Sequence, residues 1–379
     1  LNSSTIINAR AFEPNKLPGI IGTKSYFINE NESSLPVVSV TADPFTLWDD
    51  LYGIYANNLK QREIPISLTY FEPDGTIGFD VNAGARIGGM NIWRFAQKPL
   101  TIYMRSRYGD DIINYHLFEN KPVGMFSRIV LRNGGDDWLK AMLRDPMTEA
   151  LLSGQVMNGF QAYKPCVVYL NDQYWGLQNI REKFDPMYFS TNYNVDPLSY
   201  NQLEYSFVSS NLVRLGIVHG DADSYRSILT YMETHDLAVA DNYAYVGSLM
   251  NMDSFIDFLI IEMYVANTSW RHNREFWQPK GGKWEWLIPD LDRGYNMGNA
   301  EANILDEMHR GFPLFTGLLA NREFRDRFIQ RYAAHIYSTF DPERLVNIVD
   351  SLSANIELEM PRHIERWQAE DGIPSMSEW

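Results

Sequence analysis

Pro165-Cys166-Val167-Val168-Tyr169-Leu170-Asn171-Asp172-Gln173-Tyr174-Trp175-Gly176-Leu177-Gln178-Asn179-Ile180 consists of two apolar runs on either side of Asn171-Asp172. β-Branched and aromatic residues suit strands, and an Asn-Asp pair suits a tight turn, so the stretch predicts a β-hairpin. Short strand signals lie upstream at Pro36–Val40, Ile64–Phe71, Gly84–Ile87, Lys98–Tyr103 and Arg128–Arg132, with Glu72-Pro73-Asp74-Gly75 as turn chemistry. Beyond Glu182 the period changes. Met252, Phe255, Ile256, Leu259, Ile260, Met263 and Tyr264 follow helical spacing, with Asp253 as the expected N-cap. Phe324, Phe328, Tyr332 and Ile336 make a second stripe, and Leu345, Ile348, Val349, Leu352, Ile356 and Met360 a third. Between the first two lies a hairpin, Glu275–Gln278 and Trp284–Ile288, turning at Gly281-Gly282. Strands first and helices later predict an α+β protein with a strand-rich lobe over about 35–185 and a helical lobe over about 186–379.

Residues 1–34 read separately. Thr5–Phe12 and Lys24–Ile28 alternate around Leu17-Pro18-Gly19, as the terminal strands of a β-sandwich would, and Asn29–Ser34 reads as a linker. Leu1 opens without Met or a signal-peptide pattern, so the sequence reads as excised from a longer protein whose localisation signals were removed.

A chain of 379 residues with 45% hydrophobic and 21% charged residues can bury a substantial core, which excludes disorder. The net charge of −15 argues against nucleic acid, whose binding depends on basic surface. No apolar run approaches the ~20 residues that span a bilayer. The one cysteine, Cys166, excludes an intrachain disulfide and a thiolate metal cluster, and its apolar surroundings predict a buried, inert thiol.

The sharpest chemical cluster is Pro289-Asp290-Leu291-Asp292, leaving an apolar strand for the loop Arg293-Gly294-Tyr295-Asn296. On an extended backbone, residues two apart point the same way, so Asp290 and Asp292 could share one Mg²⁺ or Mn²⁺. A solvated loop with two acids is the plainer reading of a bare D-x-D. Asn267-Thr268-Ser269-Trp270-Arg271-His272-Asn273 shifts the balance. An amide one hairpin before a metal-binding acid suits phosphoryl transfer, where positioning and charge neutralisation dominate. Alone, Asn273 reads as a turn residue and His272 as a surface or satisfied histidine. Gly88-Gly89-Met90-Asn91 could let backbone N–H groups approach a phosphate, and Lys98 could pair with its oxygens, although an ordinary hairpin has the same pattern. Glu182 ends an apolar strand and could orient that lysine, or read as an exposed acid. The seven His lack zinc-ligand spacing, and G-x-S-x-G is absent. Paired glycosidase acids and a D-x-D glycosyltransferase stay open.

Taken together, these residues resemble the CotH kinase-like family, atypical kinases first named for a spore-coat protein. The resemblance runs from Leu35–Pro44 and Gly53-Ile54-Tyr55, through Gly84–Gly89 with Gln97–Leu100, to Tyr169–Leu177 ending in Arg181-Glu182-Lys183. It closes on Trp284–Asp292. Residues 1–30 resemble the last strands of the small β-sandwich that often precedes this domain in secreted bacterial members.

The resemblance implies a divergent protein-kinase-like fold over 35–379 and an ATP- and Mg²⁺-dependent Ser/Thr protein kinase. Its acceptor would be a surface or extracellular protein, and its location extracellular or in the cell envelope. Lys98 would hold phosphates beside the Gly88-Gly89 turn, with Glu182 as its ion-pair partner. Asn273, Asp290 and Asp292 would hold the metal, Asp290 first. One departure stands out: relatives read Asn-x-Asp where this chain has Asn267-Thr268-Ser269, so Ser269 takes the place of the expected catalytic aspartate. A base of this kind contributes about 10²–10⁴-fold to rate. Three outcomes stay open: an impaired kinase, a kinase using another acid such as Glu275, and a nucleotide-binding pseudokinase. A non-catalytic adhesion module that binds a glycan or protein is the alternative from another class.

Overall fold

A computed structural model of the chain describes all residues except 1, 20, 29, 31–32, 90–91, 210–211 and 296–300. Along the chain come β1 (Thr5–Arg10), β2 (Ile21–Tyr26), β3 (Val37–Thr41), α1 (Pro44–Trp48), β4 (Ile64–Phe71), β5 (Ile77–Ile87) and β6 (Leu100–Tyr103). Next are β7 (Ile113–Asn114), β8 (Met125–Phe126), β9 (Arg128–Arg132), α2 (Arg144–Leu152), β10 (Gly159–Phe160), β11 (Tyr163–Leu170), β12 (Gln173–Glu182) and α3 (Pro186–Tyr193). Then follow β13 (Tyr200–Ser209), β14 (Leu212–His219), α4 (Asp223–Thr234), α5 (Ala240–Leu249), α6 (Met252–Tyr264), β15 (Glu275–Pro279) and β16 (Glu285–Ile288). The remaining helices are α7 (Ile304–Gly311), α8 (Pro313–Leu319), α9 (Arg322–Ile336), α10 (Pro342–Ile356) and α11 (Met360–Asp371). The protein is α+β, as its periods require.

The chain forms two units that interleave along the sequence. One comprises Leu1–Met142, Ala162–Thr191 and Leu352–Trp379, the other Leu143–Gln161 and Asn192–Ser351. The division near residue 185 therefore describes only the middle of the chain. A local hydrophobic period reports that a helix has a buried face, not which distant strand it covers.

The first unit is a closed barrel in the order β11-β12-β9-β6-β5-β4-β3. The β11–β12 hairpin turns at Asn171 and Asp172, whose φ values of 51° and 63° suit the twist of a tight hairpin. The turn after β4 also forms where its residues ask for it, with Gly75 at φ 82°. The expected strand Gly84–Ile87 is the end of the longer β5. Parallel pairing of β3 with β11, Val37 opposite Val167, closes the ring and leaves Val40, Leu68, Ile102, Leu131, Cys166 and Val168 with no exposure to speak of. Cys166 is the buried thiol its surroundings called for, and burial pushes its pKa up. β1 and β2 pair with each other as an antiparallel ribbon.

Helix α11 lies against β12. Gly176 has φ 89°, and a Cβ there would sit 2.6 Å from His363 Nδ1, so only glycine fits. That nitrogen accepts the Leu177 N–H at 2.9 Å, and Trp367 Nε1 donates to the Trp175 carbonyl at 3.0 Å.

The second unit holds a five-stranded sheet, β10-β16-β15-β13-β14, with β10 parallel to β16 and the other pairs antiparallel. Helix α6 packs against it, and its N-cap is Asn251, which accepts the N–H groups of Asp253 and Ser254. Asp253, expected as the cap, lies in the first turn and pairs with Arg327 instead. Asp257, buried inside α6, is met by Arg331 at 2.6 and 2.8 Å and by His335 at 3.0 Å. The helical stripe of α9 is only partly inward, since Phe324 is fully buried while Ile336 is 37% exposed.

Burial lowers the His363 pKa from 6.5 to about 3. The unfolded chain takes up a proton below pH 6.5 that the folded imidazole refuses. Stability from this group is therefore present above pH 6.5 and lost as the pH falls towards 3, at about 1.4 kcal/mol per pH unit. His363→Asn keeps an acceptor for Leu177 without the titrating proton. Denaturant midpoints measured from pH 7 to 4 are expected to fall more steeply for the wild-type protein than for this variant.

Candidate functional site

In the barrel unit the two residues expected to pair are engaged elsewhere. Lys98 lies in the bend before β6, and its Nζ donates to the carbonyls of Trp93 at 2.6 Å and Phe95 at 3.0 Å. Burial lowers its pKa, opposed by the charge of Asp371. Lys98 thus closes the turn that its own main chain makes. Gly88 donates its N–H to the Pro99 carbonyl at 3.0 Å, and a Cβ there would lie 2.7 Å from Thr101 Oγ1. Packing against Thr101 accounts for that glycine, and Gly89 takes φ 75°. Met90 and Asn91 of the same motif lie outside the described residues.

Glu182 is 2% exposed and pairs with Lys121, not Lys98, at 2.6 Å. The same carboxylate oxygen accepts the Ala162 N–H at 2.9 Å, and Lys121 Nζ lies 5.1 Å from the centre of the Tyr188 ring. The pairing expected with Lys98 is thereby corrected. The reason is topological: β12 ends beside the loop between β7 and β8, which carries Lys121. No motif marks Lys121. It sits in Asn120-Lys121-Pro122, a loop by composition.

In the second unit the end of α6 sets the geometry. The helix closes with Ala266 at φ 51°, its N–H donating to the Met263 carbonyl and the Asn267 N–H to the Glu262 carbonyl. These bonds make a Schellman ending, which turns Asn267 back into the interior. Asn267 is fully buried. Its Oδ1 accepts the N–H of Ser269 at 3.0 Å and the hydroxyl of Ser269 at 2.7 Å, and its Nδ2 donates to the Asp290 carbonyl at 3.0 Å. Asn273 Nδ2 donates to Ser269 Oγ at 2.9 Å. The hydroxyl of Ser269 is therefore both donor and acceptor inside a buried network.

Asp290 and Asp292 come together with this segment, but not as an extended pair. β16 ends at Ile288, and Asp290 Oδ1 turns back to accept the Asp292 N–H at 3.2 Å. Leu291 accepts the Gly294 N–H at 2.9 Å, so the acids occupy a turn. Asp290 is half-buried, Asp292 is 4% exposed, and Asn296 lies outside the described residues. The structure thus gathers Ser269, Asn273, Asp290 and Asp292 in one unit. Lys98, Gly88, Gly89 and Glu182 belong to the other. Among the described residues, no group of three or more His, Cys, Asp or Glu is arranged to hold a metal ion. No helix among them is long and apolar enough to cross a membrane.

Glu262 has no role in the sequence reading, yet it lies under this network. It is fully buried, and among the described residues neither carboxyl oxygen meets a hydrogen-bond partner within bonding geometry. Burial raises its pKa well above the usual carboxylate range; the Asn267 amide opposes this and the Asp290 charge adds to it. The only sequence signal is an acid inside an apolar helical face.

The chain is α+β, with a strand-rich first unit and most of its helices in the second. The chain belongs to the CotH kinase protein family, whose model matches residues 85–378. No curated protein matches the sequence.

Because folded Glu262 keeps its proton while the unfolded chain loses it above about pH 4.5, this group's contribution declines as the pH rises. Glu262→Gln is neutral at every pH and of the same shape. The variant is expected to match the wild-type protein near pH 4.5 and to exceed it in denaturant stability at pH 8.

Proposed function

We propose that this chain is an atypical ATP- and Mg²⁺-dependent protein kinase that transfers phosphate slowly to Ser or Thr of a surface or extracellular protein. Family membership supports the kinase-like class. The observation that carries the finer reading is the Asn267–Ser269–Asn273–Asp290 network, which fixes an amide and two acids before any ligand arrives.

The donor set suits a hard cation. With Nδ2 of Asn273 turned to Ser269, no protein donor meets its carbonyl oxygen among the described residues. Oxygen ligands from one or two carboxylates, completed by water and phosphate, are what Mg²⁺ takes. Asp290, Asp292 and Asn273 are the residues that would hold it, and the bound ion would neutralise charge on the transferred phosphoryl group. In the barrel unit Glu182 is held by Lys121, and Lys98 stays with its two carbonyls. Removing one partner of such a buried pair costs about 3–5 kcal/mol, so Lys121 supports the fold.

A ligand at 100 times its Kd stabilises a protein by about 2.7 kcal/mol. Thermal unfolding is expected to shift upwards with ATP and Mg²⁺, and to shift little with ATP and EDTA. Asp290→Asn, which keeps an acceptor for the Asp292 N–H, is expected to lose the shift. A shift that survives both chelation and this substitution overturns the assignment.

A second reading, a pseudokinase or an adhesion module for a glycan or protein, is favoured by Ser269. Its hydroxyl is committed to two amides and supplies no carboxylate base. Aspartate at this position would face the carbonyl end of Asn267, so the Asn267 amide must turn over to donate to it. With Asn273 already donating there, Ser269→Asp is expected to raise phosphate incorporation from labelled ATP by about 10²–10⁴-fold. Unchanged incorporation in a variant that still binds ATP favours the non-catalytic reading.

A further inference from the structure

The segment Arg271-His272-Asn273-Arg274 places three basic residues together in a chain of net charge −15. Arg274 is 4% exposed. Its guanidinium lies 3.8 Å from the centre of the Tyr205 ring and 4.6 Å from that of Phe312, with Trp270 at 5.5 Å. Its Nε donates to the Arg271 carbonyl at 3.0 Å. Neither terminal nitrogen has an acceptor, and no carboxylate pairs with the group, among the described residues. Arg271 is exposed, lies 5.7 Å from the Trp270 ring centre and has no carboxylate partner among them either. Both guanidinium groups thus lie against the same Trp270 ring, at 5.7 and 5.5 Å from its centre, and the charge of Arg271 opposes the ionisation of Arg274.

Three other arginines of this unit are answered. Arg331 has Asp257, Arg327 has Asp253, and Arg344 donates to the carbonyls of Thr339, Ala150 and Leu151. Arginine cannot avoid the cost of burial by losing its proton. Aromatic faces offset part of that cost, but they leave the in-plane N–H groups without acceptors.

We propose that Arg271 and Arg274 form an anion site that takes a phosphoryl group. A tetrahedral dianion can accept from two guanidinium forks and answer both charges, whereas a single carboxylate answers one. The phosphoryl group has two possible sources, free phosphate and a phosphorylated side chain. The site goes beyond the nucleotide reading and uses none of its residues.

The test uses the full chain in EDTA at constant ionic strength, with inorganic phosphate and N-acetyl-phosphoserine methylamide as probes. Thermal unfolding of the wild-type protein is expected to rise saturably with phosphate and not with chloride. Arg274→Met is expected to lose the response while being no less stable than the wild-type protein without phosphate, because an apolar isostere removes an unanswered buried charge. Arg271→Gln, at an exposed position, is expected to weaken phosphate affinity about tenfold. Asp290→Asn is expected to respond like the wild-type protein, which separates this site from the nucleotide reading. A response to both probes supports a free anion, and a response to phosphoserine alone supports a side chain as the source. A wild-type protein that ignores both probes overturns the proposal, as does a response equal to that of chloride or one lost in Asp290→Asn.

Discussion

A single buried amide, that of Asn267, holds the second unit's polar centre in place. It has no solvent exposure, and it uses both ends of its side chain. The Schellman ending of α6 puts it there, at the cost of a left-handed alanine at 266. From that position it ties the segment after α6 to the segment after β16. Each buried bond of this kind costs about 1–3 kcal/mol if one partner is stranded. The loop carrying Ser269 and the turn carrying Asp290 therefore have one well-determined relation to each other, set by the protein alone.

The ionisable groups inside the two units are handled in three ways. Lys121 with Glu182, and Asp257 with Arg331 and His335, meet an opposite charge within hydrogen-bond distance. Glu262 has no such partner among the described residues and escapes the penalty by keeping its proton. Arg274 can do neither, and lies between aromatic rings. These solutions follow the intrinsic pKa values: a carboxylic acid can become neutral near pH 7 and a guanidinium cannot.

Much of the fold was legible because it depends on short-range chemistry. Asn171-Asp172, Pro73-Asp74-Gly75 and the apolar spacing of 252–264 each specify their element without help from distant residues. So does Cys166, flanked by apolar neighbours. The parallel closure of β3 on β11 was not legible, since nothing local distinguishes one short valine-rich strand's neighbour from another's. The site was legible to the same limit. Asn273, Asp290 and Asp292 fall within twenty residues and one hairpin, so their meeting could be read from the pattern. The partner of Glu182 could not, because Lys121 lies 61 positions away in an unmarked loop. Lys98 was misread for a related reason: a lysine before a strand looks the same whether its ammonium faces a ligand or its own turn.

The contact between β12 and α11 bears on how the protein is made. Leu177 and His363 are separated by 186 positions. A ribosome will have released the whole barrel strand order long before the helix that covers Gly176 emerges from the exit tunnel. Throughout that interval β12 around Trp175 is bare of its covering helix, while residues 192–351 of the second unit are being translated. The nascent chain thus carries an unfinished first unit past a complete second one, which makes that strand the natural place for a holdase chaperone to engage.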